Sequence, residues 1–148
     1  MEKTEELYAR LAYEVRMYKN QLNLLQKEIE KLTLTAIDAN NAARTIESLE
    51  QGDTIIPIGG NAFAKGIISS TNILLGIGSG YLIEVDKETA TKKMKQREEA
   101  TKEAMSKLSQ EYSRISAKFE AASRQLQEIE MQLMVKRRGE ETTREDYL

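Results

Sequence analysis

Glycine and proline, the two residue types that end helices, crowd into a single stretch of this chain. Seven of the eight glycines and the one proline, Pro57, lie within the 36-residue window Gln51–Asp86. Residues 1–51 and 87–138 contain neither, which permits a very long helix on each side. The window also holds only four of the chain's 46 charged residues: Asp53, Lys65, Glu84 and Asp86. The layout is two charged, uninterrupted arms joined by a short apolar insert.

Composition points the same way. Charged residues make up 31% of the 148 residues, aromatics only 5%, and there is no Trp. That fits long solvated helices with a narrow apolar seam better than a compact globule. A net charge of −2 gives no global pull toward nucleic acid or an anionic membrane. Without Cys or His there are no disulfides, no thiolate chemistry, no imidazole bases and no ordinary zinc site. The polar, acidic start MEKTEELYAR does not read as a signal peptide. No stretch of 18 apolar residues suggests a membrane span.

In the first arm an apolar seam runs from Tyr8, Leu11, Val15 and Tyr18 through Leu22, Leu25, Ile29 and Leu32 to Ala36, Ala39, Ala43 and Ile46. The spacing alternates threes and fours without a break, the requirement of a left-handed coiled coil. The expected helix covers residues 4–51, about 70 Å long at 1.5 Å per residue, with Gly52 as its stop. The second arm is expected to be helical over 87–138. Asp86 is its N-cap, Lys136–Arg138 complement the dipole at its end, and Gly139 stops it. Residues 139–148 are expected to be a flexible tail. The seam of this arm reads Met94, Arg97, Thr101, Ala104, Leu108, Tyr112, Ile115, Phe119, Ala122, Leu126, Ile129 and Leu133, with a stutter at Leu108.

A short insert between two arms predicts an antiparallel hairpin. Residues whose numbers sum to 140 or 141 then face each other: Leu7 with Leu133, Leu11 with Ile129, Val15 with Leu126, Tyr18 with Ala122, and Ile46 with Met94. Charges match at the ends, with Glu2, Glu5 and Glu6 beside Lys136–Arg138, and Glu47 and Glu50 near Lys92, Lys93 and Lys95. Exposed pairs of this kind contribute under about 1 kcal/mol each, so they set orientation rather than stability.

The insert, 52–86, reads as two β-hairpins with strands near Thr54–Ile58, Ala62–Ile68, Asn72–Ile77 and Gly80–Val85. Ile56-Pro-Ile-Gly59 and Leu75-Gly-Ile-Gly78 echo each other at an offset of 19 residues. So few residues do not bury enough surface to stand alone, and apolar edge strands invite pairing with other chains. The candidate oligomerisation residues are Ile55, Ile56, Ile58, Phe63, Ile67 and Ile68 in the first hairpin. Those of the second are Ile73, Leu75, Ile77, Tyr81 and Ile83.

Gly76-Ile-Gly78-Ser-Gly80 lacks the spacing of a dinucleotide fingerprint and the Lys-Ser/Thr of a P-loop, so a hairpin turn is the better reading. Lys136-Arg137-Arg138 reads as dipole complement rather than a nucleic-acid patch. The glutamates read as solvated helix faces, with no paired carboxylates for acid–base catalysis. No enzyme activity, cofactor or metal is expected.

The motifs Pro57-Ile58-Gly59-Gly60 leading into Phe63, and Gly76-Ile77-Gly78-Ser79-Gly80-Tyr81 leading into Glu84, resemble those of prefoldin subunits. With the flanking heptads the resemblance covers nearly the whole chain up to Gly139. Two hairpins rather than one resemble the alpha class, and the archaeal type fits best. The resemblance implies a mainly α fold, a long antiparallel two-helix coiled-coil hairpin bridged by two β-hairpins that join an oligomeric β-barrel. It implies a cytoplasmic hexamer of two alpha and four beta subunits. Such a hexamer would hold unfolded proteins at its coiled-coil tips, without ATP, and pass them to a group II chaperonin.

The residues themselves place client binding at the free ends of the arms. Tyr13, Met131, Met134 and Val135 lie beside the seam residues Leu7, Leu11, Ile129 and Leu133. Together they offer more apolar surface than a two-helix seam needs, and flexible methionine suits irregular partners. Alternatively, Leu7, Leu11, Ile129 and Leu133 merely close the seam. The rival functional reading is a coiled-coil spacer that holds partners apart and binds no client. A nucleic-acid arm would need a basic stripe that the sequence lacks.

Overall fold

A computed structural model of the chain describes residues 2–145. The element order is α1 (Glu2–Glu47), β1 (Gly52–Gly59), β2 (Ala62–Ile68), β3 (Ile73–Gly78), β4 (Tyr81–Val85) and α2 (Lys87–Glu145). The mainly α class, with two hairpins between two long helices, is borne out. The chain forms two compact units. Among the described residues, one joins 2–30 with 106–145, and the other spans Lys31–Met105.

In the first unit the helices pack antiparallel. Leu11, Ala122 and Ile129 are buried together, and Leu7, Tyr8, Val15, Tyr18, Leu126 and Leu133 close around them. This cluster contains all four layers that the number-sum rule assigns to these ends. Tyr8 donates its hydroxyl hydrogen to Glu130 Oε1 at 3.1 Å. That bond to a carboxylate, and then the carboxylate's charge, raise the Tyr8 phenol above its usual range.

The core of the second unit is Ala43, Ile46, Leu75, Ala90 and Met94, with Ala42, Ile73 and Val85 packed against it. Ala36, Ala39 and Ala43 are all buried. Asp86 caps α2 as expected, accepting the Thr89 backbone N–H at 2.8 Å. Its carboxyl is held below the usual carboxylate range by its hydrogen bonds to Thr89.

The helix boundaries differ from expectation, and α1 already begins at Glu2 rather than at residue 4. α1 ends at Glu47, not Gln51. The Ser48 hydroxyl donates to the carbonyls of Arg44 and Thr45, and Leu49 N–H bonds Ile46 O at 3.2 Å in a tightened last turn. Lys87 Nζ then takes Leu49 O at 3.0 Å. Gly52 consequently opens β1 instead of stopping α1. At the other end, Gly139 does not stop α2, which continues to Glu145. Glycine in a helix interior weakens it without ending it. Here Thr142 and Thr143 bond back to the carbonyls of Arg138 and Gly139. The last residues of the expected tail, 146–148, lie outside the described residues.

The α2 seam is also corrected. Arg97 is exposed, whereas Glu98 and Met105 are half-buried. In the second unit the seam therefore runs Thr91, Met94, Glu98, Thr101 and Met105, in alternating threes and fours, and the expected Ala104 is half-buried beside Met105. A hydrophobic template could not place a glutamate in the seam. What holds it there is Asn40, which donates to both Glu98 carboxylate oxygens at 3.3 and 3.2 Å. Lys102 pairs with Glu98 at 2.9 Å, and the Glu98 side chain is only 13% exposed. A half-buried polar layer of this kind favours one register, because a slip keeps the Lys102 pair within α2 but strips the carboxylate of both Asn40 hydrogen bonds.

Lys102, then Asn40, holds the Glu98 carboxyl below its ordinary value. A lowered folded pKa means the stabilisation is complete above the unfolded value and is lost as pH falls through the folded one. Glu98→Gln is expected to lower Tm by roughly 2–4 °C at pH 7. The gap should close as pH drops below the carboxylate range. Thermal melts of both proteins at pH 7 and pH 3 check this, and an equal deficit at both would refute the charge argument.

Candidate functional site

The two hairpins are built on one plan. β1 pairs antiparallel with β2 and β3 with β4, as separate two-stranded sheets, so every strand is an edge. Each register shifts by one residue just before the turn, at Pro57/Gly59 and at Gly76/Gly78. Gly59 and Gly78 share a φ of 105°, and each is followed by two left-handed residues, Gly60-Asn61 and Ser79-Gly80. The 19-residue echo is therefore a repeated bulge and turn, with glycine at the one backbone position that other residues avoid.

The hairpins differ in what they cover. One face of β3–β4 lies on the helices of its own unit, where Leu75 is buried and Ile73 and Val85 pack beside it. Arg97 fixes this hairpin by donating from Nη2 to Gly76 O at 3.1 Å. Leu75, expected at an oligomer interface, is thus corrected to the core of its own chain, and Ile73 is half-covered. The opposite face exposes Leu74 and Leu82, two positions the sequence reading missed; strict alternation from Leu75 and Ile83 could have found them.

On β1–β2, residues Ile55, Phe63 and Ile67 share one face and are exposed, and Ile56 and Ile58 are exposed as well. Ile68 is half-buried, whereas Ile77, Tyr81 and Ile83 on β3–β4 are open to solvent. A two-stranded sheet is marginal in water by itself, and this one presents aliphatic side chains and unpaired backbone groups together.

The paired ends of the first unit form the second candidate surface. Leu11 and Ile129 are buried, and Leu7 and Leu133 half-buried, in the seam. Tyr13, Met131, Met134 and Val135 are not in it, and the last three are 68%, 65% and 70% exposed. Their spacing of three and four puts Met131, Met134 and Val135 on one outward face of α2. A groove beside them is lined by Thr4, Glu5, Tyr8, Leu133, Met134, Lys136 and Arg137. Glu47, predicted to lie near the Lys92–Lys95 cluster, pairs with Lys95 at 2.9 Å. Among the described residues no group of acidic side chains could hold a metal ion, and no helix is long and apolar enough to cross a membrane.

The prefoldin subunit family model matches residues 18–132, most of the chain. The chain belongs to the prefoldin family. It is similar to the prefoldin alpha subunit of Pyrococcus horikoshii, with 27% identity over 82% of this chain and 86% of that one. It is 36% identical to the alpha subunit of Thermococcus onnurineus over 56% of this chain and 60% of that one. These relatives bear out the alpha class and archaeal type. Among solved structures, the cryo-EM structure of filamentous PFD from Methanocaldococcus jannaschii aligns with a TM-score of 0.63. That alignment has 23% identity over 72% of this chain and 93% of that one, a likeness of fold. Membership implies a chaperone-type, oligomeric role for this prefoldin chain.

Proposed function

We propose that this prefoldin chain is an ATP-independent holdase subunit that captures unfolded proteins at its paired helix ends and delivers them to a group II chaperonin. The observation that carries the reading is the outward stripe Met131, Met134 and Val135, exposed at one end of an otherwise charged helix pair. Such a stripe offers apolar contact without a shaped pocket, which suits clients with no fixed structure. Each contact is weak, and avidity comes from several ends acting together. That requires assembly, which we assign to the open hairpin faces. The partners are beta-class subunits, in a cytoplasmic hexamer of two alpha and four beta chains.

The test dilutes a chemically denatured protein into buffer containing this chain assembled with a beta-class partner. Aggregation, followed by light scattering, is expected to be suppressed at near-stoichiometric ratio without ATP. Undiminished aggregation would favour a spacer that holds partners apart and binds no client.

A further inference from the structure

The back of α1, opposite the seam, carries a second line of residues spaced by threes and fours: Arg10, Tyr13, Met17, Asn20, Leu24 and Lys27. Tyr13, Met17 and Leu24 are 59%, 40% and 67% exposed, although the seam on the other side already meets the helix's own packing need. The charge along this line is biased toward cations. Residues 10–28 carry four cations, Arg10, Arg16, Lys19 and Lys27, against two acids, Glu14 and Glu28, and the stretch 15–27 between those acids holds no acid, in a chain of net charge −2. Among the described residues none of the three cations in that stretch, Arg16, Lys19 and Lys27, is in an ion pair.

We propose that this line docks one amphipathic α-helix of a partner protein, with Glu or Asp flanking its apolar stripe. Spacing of three and four over about 26 Å is the geometry by which one helix receives another. The three cations select acidic flanks on the partner. A second copy of the same face is disfavoured, because it would set Arg16, Lys19 and Lys27 against their own counterparts. The line is one residue wide and interrupted by Asn20. A membrane-surface helix needs a broad apolar face instead.

The probe is a fluorescent synthetic helix with leucines at i, i+3, i+7 and i+10 and glutamates on both flanks, titrated against the assembled full-length chain by anisotropy. Two control peptides replace the glutamates with lysine, or the leucines with serine. The acidic amphipathic helix is expected to bind, and each control to bind at least about tenfold more weakly. Met17→Ser with Leu24→Ser, and separately Lys19→Glu with Lys27→Glu, should each weaken binding about tenfold or more with helix content unchanged. Both pairs are solvent-facing, so the fold survives them. Triple serine substitution of Met131, Met134 and Val135 should leave this binding intact, which separates it from client capture. Equal binding of the acidic and basic peptides overturns the proposal. So does indifference to both variant pairs, or binding to phosphatidylserine vesicles with none to the peptide.

Discussion

Ile55→Asp combined with Ile67→Asp is expected to turn the assembled protein into a monomer while leaving its helix content unchanged. The two side chains sit on one face of the first hairpin, Ile55 opposite Lys65 and Ile67 opposite Asp53. They are 66% and 76% exposed, so the isolated chain loses little by their replacement. In an assembly they would be covered, and covering an isoleucine contributes about 1.5–3 kcal/mol. Two per subunit make roughly 3–6 kcal/mol, about 10²–10⁴-fold in each contact. Burying the new carboxylates unpaired would cost more still. Size-exclusion chromatography with light scattering gives the mass, and circular dichroism gives the helix content. An unchanged mass would remove the first hairpin from the interface.

The control follows from the asymmetry between the hairpins. Leu75→Asp strikes the buried core beneath β3–β4, among Ala43, Ile46, Ala90 and Met94, and is expected to damage the chain itself. Leu74 and Leu82, on the outer face, are the positions of that hairpin where a charge should disturb assembly alone.

Why Leu75 and Ile55 look alike in sequence but differ in the structure marks the limit of pattern reading. The helical arms were legible, because a narrow three–four apolar repeat over many turns favours a two-helix seam, and the number-sum rule set the pairing of the ends, whose four layers share one buried cluster. The hairpins were legible from glycine positions, down to the repeated turn. Polar residues with structural work were not. Glu98 sits in the seam because Asn40 and Lys102 satisfy it. Arg97 leaves the seam because Gly76 O takes its guanidinium. Both depend on partners far away in sequence, and hydropathy carries no signal for that. The helix ends shifted for a similar reason, as hydroxyl and lysine caps closed α1 before the glycine expected to stop it. At the helix ends, composition located the apolar excess but could not separate Leu11 and Ile129, which face inward, from Met131, Met134 and Val135, which face out.

That separation makes the client surface testable. Met131→Ser, Met134→Ser and Val135→Ser together are expected to weaken client holding by roughly tenfold or more per assembly. Mass and melting temperature should stay unchanged, since none of the three belongs to a buried cluster. Leu11→Ser with Ile129→Ser should act differently. It cuts into the seam at its most buried layer and lowers Tm before any effect on clients can be read. A third variant decides whether the ends must open to bind. Leu7 and Leu133 pack against the same buried cluster, and the chain has no other cysteine, so Leu7→Cys with Leu133→Cys can be oxidised to lock the helices together. If the outward stripe is the surface, the locked protein still suppresses aggregation, and reduction changes nothing. Loss of suppression on oxidation, recovered on reduction, would instead place binding on Leu7, Leu11, Ile129 and Leu133, exposed only when the ends splay. The outward stripe then becomes a bystander, because exposure in the closed state would no longer be what recruits the client.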